Sequence, residues 1–218
     1  MDKPSPISRF LPWRYIMRLR CRAGYGVQSP SRYYFIRHVL YQRLPYYAYS
    51  ILPRVHGSSA SARLLFRLAN YTQAKEIIIF SDLSTNKAKM HSKALETVFY
   101  EACHSSVLSV ISMPNSALVE SVILSKLETV NKTKCFLYIE ELLLTEDLSD
   151  VLVKYLIKAP KGTLIVVEEI YASKEYYHRW LDFIQKLRTF GLSFAAYEMN
   201  KKGLLLLDDS NFSKVFII

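Results

Sequence analysis

With 218 residues, half of them apolar and 22% charged, the chain is long enough to bury one substantial core and too apolar for a disordered segment. Its formal charge of +10 is unevenly placed: residues 1–75 carry thirteen Lys or Arg against one acid, Asp2, while residues 76–218 carry sixteen bases against eighteen acids. No apolar run approaches the ~20 residues of a membrane span, no signal-peptide pattern opens the sequence, and Cys21, Cys103 and Cys135 form no CxxC pair, which argues against an exported disulfide scaffold and a zinc cluster and leads us to expect a cytoplasmic protein.

In chain order, Trp13–Arg22 reads as a short basic helix stopped by Gly24 and Gly26. Ser29 and Pro30 have the N-cap and N1 chemistry of a second helix, Ser31–Arg43, and Ser59–Tyr71 reads as a third. From Glu76 the pattern changes. Short apolar runs at Ile77–Phe80, Val107–Ile111, Cys135–Ile139 and Leu164–Val167 are continuous and rich in β-branched residues, as strands covered on both faces should be. Between them Asn86–Cys103, Ser116–Thr129 and Thr145–Lys158 have helical apolar spacing, the last closed by Pro160–Gly162. Three further runs, Leu192–Tyr197, Leu204–Leu207 and Val215–Ile218, follow one another across short turns and predict an antiparallel C-terminal edge. The expectation is an open, mostly parallel α/β sheet (residues 76–218) preceded by a basic helical segment (residues 1–75) packed upon it.

Ligands of such sheets bind at the carboxyl ends of the strands, and a nucleotide-type ligand needs glycines after the first strand so that the backbone can approach it. Here that turn reads Ser81-Asp82-Leu83-Ser84-Thr85-Asn86, and no glycine occurs between Gly57 and Gly162. The serine-rich turn suits a helix N-cap and, alternatively, a small anion at the helix start. Two acidic pairs end strands, Glu140-Glu141 and Glu168-Glu169. Adjacent carboxylates can share a proton or hold a cation, or one of each pair can be a solvated loop charge. The histidines (His38, His56, His91, His104 and His178) have no metal or protease spacing and read as surface or packing residues. Arg14, Arg18 and Arg22 recur every four residues with Arg20 beside them, opposite Trp13, Ile16 and Met17. That face suits an anionic partner (an acidic protein, nucleic acid or a membrane surface) or a merely solvated helix.

Several segments together resemble a bacterial group of class I S-adenosylmethionine-dependent methyltransferases of O-methyltransferase type. A GHGVHSPF-like stretch corresponds to Gly24-Tyr25-Gly26-Val27-Gln28-Ser29-Pro30-Ser31, and Leu64–Tyr71 is similar to a second. A DDIHWS-x-E-x-x-x-AW-like pattern matches Glu168-Glu169-Ile170-Tyr171-Ala172-Ser173-Lys174-Glu175 through Trp180, and Lys202–Leu207 matches an MGLVFF-like strand. The resemblance implies a Rossmann-like fold, a cofactor cradle at Ser81, Asp82, Ser84 and Glu140, and acceptor-side or catalytic acids at Glu168 and Glu169. The family's cofactor motif E-x-G-x-x-x-G falls on Ile79, Ser81 and Thr85, and its ribose-binding acid falls near Ile111 or Ser112. An isoleucine there leaves a ribose hydroxyl without an acceptor, at about 1–3 kcal/mol. The expectation is therefore a methyltransferase-like pseudoenzyme without cofactor that acts by binding. The alternative is an active S-adenosylmethionine-dependent enzyme with an unorthodox loop. No metal is expected.

Overall fold

The computed structural model describes residues 27, 29–104, 106–112, 133–140, 143–199, 201–208 and 213–218. The predicted basic helix with Arg14, Arg18, Arg20 and Arg22, the predicted helix Ser116–Thr129, and Glu141 lie outside the described residues.

Seven strands form one sheet: β1 (Glu76–Ser81), β2 (Val107–Ser112), β3 (Cys135–Ile139), β4 (Leu164–Val167), β5 (Phe194–Met199), β6 (Lys202–Leu207) and β7 (Lys214–Ile217). Their spatial order is β2-β1-β3-β4-β6-β5-β7. The first four pair in parallel, and β6 runs antiparallel between β4 and β5. This is the Rossmann-like, mostly parallel sheet with an antiparallel C-terminal edge that the sequence predicts. The last strand differs in detail: β7 crosses beyond β6 and lies parallel to β5.

Strand alternation divides the interior into two cores. Ile77, Ile79, Phe136, Tyr138, Leu164 and Val166 face one side, and Ile78, Phe80, Leu137, Ile139, Ile165 and Val167 face the other. The first side is covered by α1 (Pro30–Phe35), α2 (Ser59–Thr72) and α3 (Asn86–Ala102), and the second by α4 (Glu146–Leu156) and α5 (Lys174–Thr189). Being apolar on both faces, these strands have no solvent-facing alternative register. The helices begin where side chains supply the missing acceptors: Ser58, Thr85, Thr145 and Ser173 each accept from a backbone N–H three residues on.

The helix expected over Ser31–Arg43 is shorter. It starts at Pro30, passes into a π turn at Ile36–Leu40 and stops. The Arg67 guanidinium on α2 donates to the carbonyls of Val39 (2.7 Å) and Leu40 (3.1 Å), so a tertiary contact satisfies the end of this helix. No helix among the described residues is long and apolar enough to cross a membrane.

Candidate functional site

Because β2 and β3 lie on opposite sides of β1, strand order reverses between β1 and β3, and the carboxyl ends there mark the place where sheets of this kind form a ligand crevice. The β1–β3 and β3–β4 ladders carry on past the last strand residues, with Glu140 N–H donating to Phe80 (3.0 Å) and Glu168 N–H donating to Ile139 (3.0 Å). Ser81, Glu140 and Glu168 therefore stand at one level along the sheet edge. The Ser81 hydroxyl, fully buried, donates across the reversal point to Glu140 Oε2. The turn that follows points away. Asp82 Oδ1 accepts from the Ser84 N–H (2.9 Å) in an Asx-type turn, Thr85 caps α3, and Asp82 and Ser84 are exposed.

The second acidic pair splits. Glu168 is 1% exposed, held by Lys202 Nζ at both carboxylate oxygens, and accepts from the Tyr138 hydroxyl at 2.9 Å. Lys202 reaches it because β6 is antiparallel, which brings the first residue of that strand to the carboxyl end of β4. Glu169 adopts left-handed backbone (φ 50°) and turns outward to the exposed Lys201, 3.2 Å away. Burial, followed by the nearby Glu168 carboxylate, pushes the Tyr138 phenol well above its ordinary range and keeps it a donor.

Two histidines complete the crevice. The rings of His56 and His91 lie 3.9 Å apart. His56 Nε2 is 3.3 Å from the Tyr138 hydroxyl, and His91 Nε2 is 3.6 Å from Glu140 Oε1. Since Tyr138 gives its proton to Glu168, the bond to His56 needs the Nε2–H tautomer as donor. The His91 Nε2 atom is buried and makes no hydrogen bond. Burial lowers the His91 pKa to about 4, with the neighbouring His56 acting in the same direction. His56 is lowered as well, by burial and then by Lys202. Both rings are thus neutral at pH 7. His56 and Gly57 are consecutive positive-φ residues in a two-residue turn closed by the Val55–Ser58 bridge. Of the three non-glycine residues with positive φ among the described residues, His56 and Glu169 both border this crevice. Backbone strain of that kind gathers at sites with a function.

Of the residues expected from sequence, the structure joins Ser81, Glu140 and Glu168 into one polar chain that runs Ser81–Glu140, His91–His56, Tyr138–Glu168–Lys202. Asp82, Ser84 and Glu169 lie at its rim. The sequence reading missed His56, His91, Tyr138 and Lys202. One signal was available: His91 precedes Leu95 and Val98 by four and seven residues, which places it on the inward stripe of α3. Among the described residues no group of three or more His, Cys, Asp or Glu is arranged to hold a metal ion.

No family model and no curated protein sequence matches the chain. Solved structures similar to it include the release-factor-specific protein-(glutamine-N5) methyltransferase of Alicyclobacillus acidocaldarius, 8% identical over 65% of this chain and 88% of that one with a TM-score of 0.40. The O-methyltransferase TomG of Streptomyces achromogenes, solved with S-adenosylmethionine, is 13% identical over 75% and 91% with a TM-score of 0.41. The S-adenosylhomocysteine-bound methyltransferase PaMTH1 of Podospora anserina is 9% identical over 96% and 100% with a TM-score of 0.38.

Proposed function

We propose that this chain is a methyltransferase-like protein that does not hold S-adenosylmethionine and acts by binding. The observation that carries the reading is the Ser81–Glu140 hydrogen bond across the strand-order reversal. A cofactor of this type needs bare backbone where β1 ends, yet the fully buried serine side chain that closes β1 is tied to Glu140, the residue directly after β3. The ribose-binding acid of the resembled family falls near Ile111, only 8% exposed, or the exposed Ser112, neither of them acidic. Glu168 is engaged by Lys202 and Tyr138. The residues present do not fit the cofactor. Its binding at Glu140 would first have to break the Ser81–Glu140 bond, and the Ser81 hydroxyl, if left buried without a new partner, costs on the order of 1–3 kcal/mol.

The binding role extends to an anionic partner met through the basic residues 1–75, with Arg14, Arg18, Arg20 and Arg22 as its contacts, in a cytoplasmic setting. The support is the charge division, thirteen bases to one acid on that side.

Calorimetric titration with S-adenosylmethionine and S-adenosylhomocysteine tests the first part. Absence of heat up to millimolar ligand is expected, and micromolar binding to either would overturn it. For the second, replacing the four arginines by alanine should weaken retention on a heparin column; unchanged elution salt would remove the assignment.

One observation favours the alternative of an active enzyme using Ser81, Asp82, Ser84 and Glu140 around the cofactor, with Glu168 and Glu169 near the acceptor. His91 offers a neutral imidazole with an unengaged ring nitrogen inside the crevice, the kind of group that accepts a proton. Micromolar cofactor binding that persists in His91→Asn, with methyl transfer lost, would establish that reading instead.

A further inference from the structure

Between the π turn and α2, residues 41–58 form a connection with two sides. The inward side is built from Tyr46 and Tyr49, whose rings lie 5.2 Å apart and meet Phe66 of α2 edge-on at 5.5 and 5.7 Å. The Tyr46 hydroxyl accepts from Gln42 (3.1 Å) and the Tyr49 hydroxyl from Arg67 (3.2 Å). The carbonyls of Tyr46 and Ala48 accept from the N–H groups of Tyr49 and Ile51 (3.0 and 3.1 Å), so Tyr47–Ser50 is a built 3₁₀ turn and not a loose tether. At three residues per turn Tyr46 and Tyr49 share one side, and Tyr47 between them falls off it.

The outward side is apolar. Tyr47 is 93% exposed, Leu44 70% and Ile51 55%. A lone exposed apolar residue is ordinary, but three large ones on a turn that buries its other aromatics have no packing role. Exposure this high means that the tip projects, so it can enter a medium but cannot enclose a ligand. Positive charge frames it. Arg43 adjoins Leu44, Arg54 follows Ile51 by three residues, and Arg63 reaches from α2 to lie over the Tyr49 ring at 5.2 Å. All three are exposed, and none forms an ion pair among the described residues. No Asp or Glu occurs between Asp2 and Glu76. Projecting aliphatic carbon beside unpaired guanidinium groups matches an anionic bilayer in both respects. Headgroup phosphates pair the cations, the acyl boundary takes Leu44 and Ile51, and a tyrosine suits the depth between. Nucleic acid offers the phosphates but no apolar medium for the two aliphatic side chains.

We propose that the Leu44–Ile51 turn docks this protein on anionic lipid, with Leu44, Tyr47 and Ile51 entering the headgroup boundary and Arg43, Arg54 and Arg63 binding the headgroups. The inference rests on the binding role assigned to residues 1–75 and gives that role a surface and a partner.

The test is co-sedimentation of the full chain with vesicles of equal parts phosphatidylglycerol and phosphatidylcholine, and with phosphatidylcholine alone. Binding to the first and not the second is expected, weakened about tenfold or more in Leu44→Ser/Tyr47→Ser/Ile51→Ser and about tenfold in Arg43→Gln/Arg54→Gln. The replaced side chains are exposed, so both variants should keep the parent's circular dichroism and melting temperature. In Tyr47→Trp, emission should move to the blue on the anionic vesicles relative to the parent. No binding to anionic vesicles, undiminished binding in the triple variant, or an unmoved Tyr47→Trp emission overturns the proposal. Binding of single-stranded RNA in place of vesicles, or self-association that the triple variant abolishes, without vesicle binding, gives the tip another occupant and overturns it as well. Vesicle binding lost on replacing Arg14, Arg18, Arg20 and Arg22 by alanine but kept in the triple variant removes the tip and leaves the four-arginine assignment standing. The reverse pattern supports the tip and removes those arginines.

Discussion

At the scale of single residues, the Glu168–Lys202 pair is the most exposed to test, because 1% and 8% accessibility leaves neither charge a solvent alternative. Lys202→Met strands a buried carboxylate and should cost about 3–5 kcal/mol in urea unfolding. Adding Glu168→Met should recover most of that loss, since an apolar pair needs no partner; a double variant no better than the single one would show that the charge is not what the site cannot tolerate. His91 makes a prediction of opposite character. Its pKa is about 4 in the fold against 6.5 when unfolded, so between those values the unfolded chain binds the extra proton. The contribution is complete above pH 6.5 and fades as pH falls toward 4. With the side chain 12% exposed, the whole effect is on the order of 2–3 kcal/mol. The parent minus His91→Gln stability difference should therefore shrink across that window; a difference flat from pH 7 to 4 would contradict the buried neutral imidazole.

At the scale of elements, β6 and α5 are locked by one close approach. A β-carbon on Gly203 would sit 2.8–2.9 Å from the Trp180 indole, a rigid group that is itself fully buried and donates to Glu198 at 3.0 Å. Gly203→Ala should lose about 1–3 kcal/mol through overpacking and shift the Trp180 emission; an unchanged unfolding midpoint would mean the strand can retreat from the helix. Elements were also where the sequence was most readable. Strands β1, β3 and β4 announce themselves because burial on both faces demands unbroken apolar runs, whereas α5, which starts at the Ser173 cap, was not among the predicted helices. What local pattern could not supply was the end of α1, decided by Arg67 from 27 and 28 residues away, or the placement of β7 beside β5 rather than β6. The same limit governs the crevice. Ser81, Glu140 and Glu168 follow from the rule that chemistry sits at strand ends, whereas Lys202 enters only through the antiparallel insertion of β6, and His56 only through a turn that no spacing motif marks.

At the scale of the molecule, the division of charge suggests two parts with separate tasks, while the packing argues that they do not fold separately. Phe35, Ile36, Leu65 and Leu68 of the N-terminal layer are fully buried in the same core as Ile77, Ile79, Tyr138 and Val166 of the sheet. Removing that layer would leave α3 as the remaining helical cover on this face among the described residues and would uncover the apolar strand surface that α1 and α2 bury. Residues 76–218 expressed alone should therefore be insoluble or lack fixed tertiary structure, and the full chain should unfold as one unit. Trp180 provides the reporter, since it belongs to the other core, beneath α5. In a Trp13→Phe background its fluorescence reads only the far face of the sheet, whereas far-ultraviolet circular dichroism reads helices on both. Coincident urea transitions are expected, because the same strands supply both cores with alternate residues and cannot lose one cover while keeping the other. A separate early transition in the dichroism, with Trp180 still native, would show that the basic layer detaches on its own and would make it an independent module.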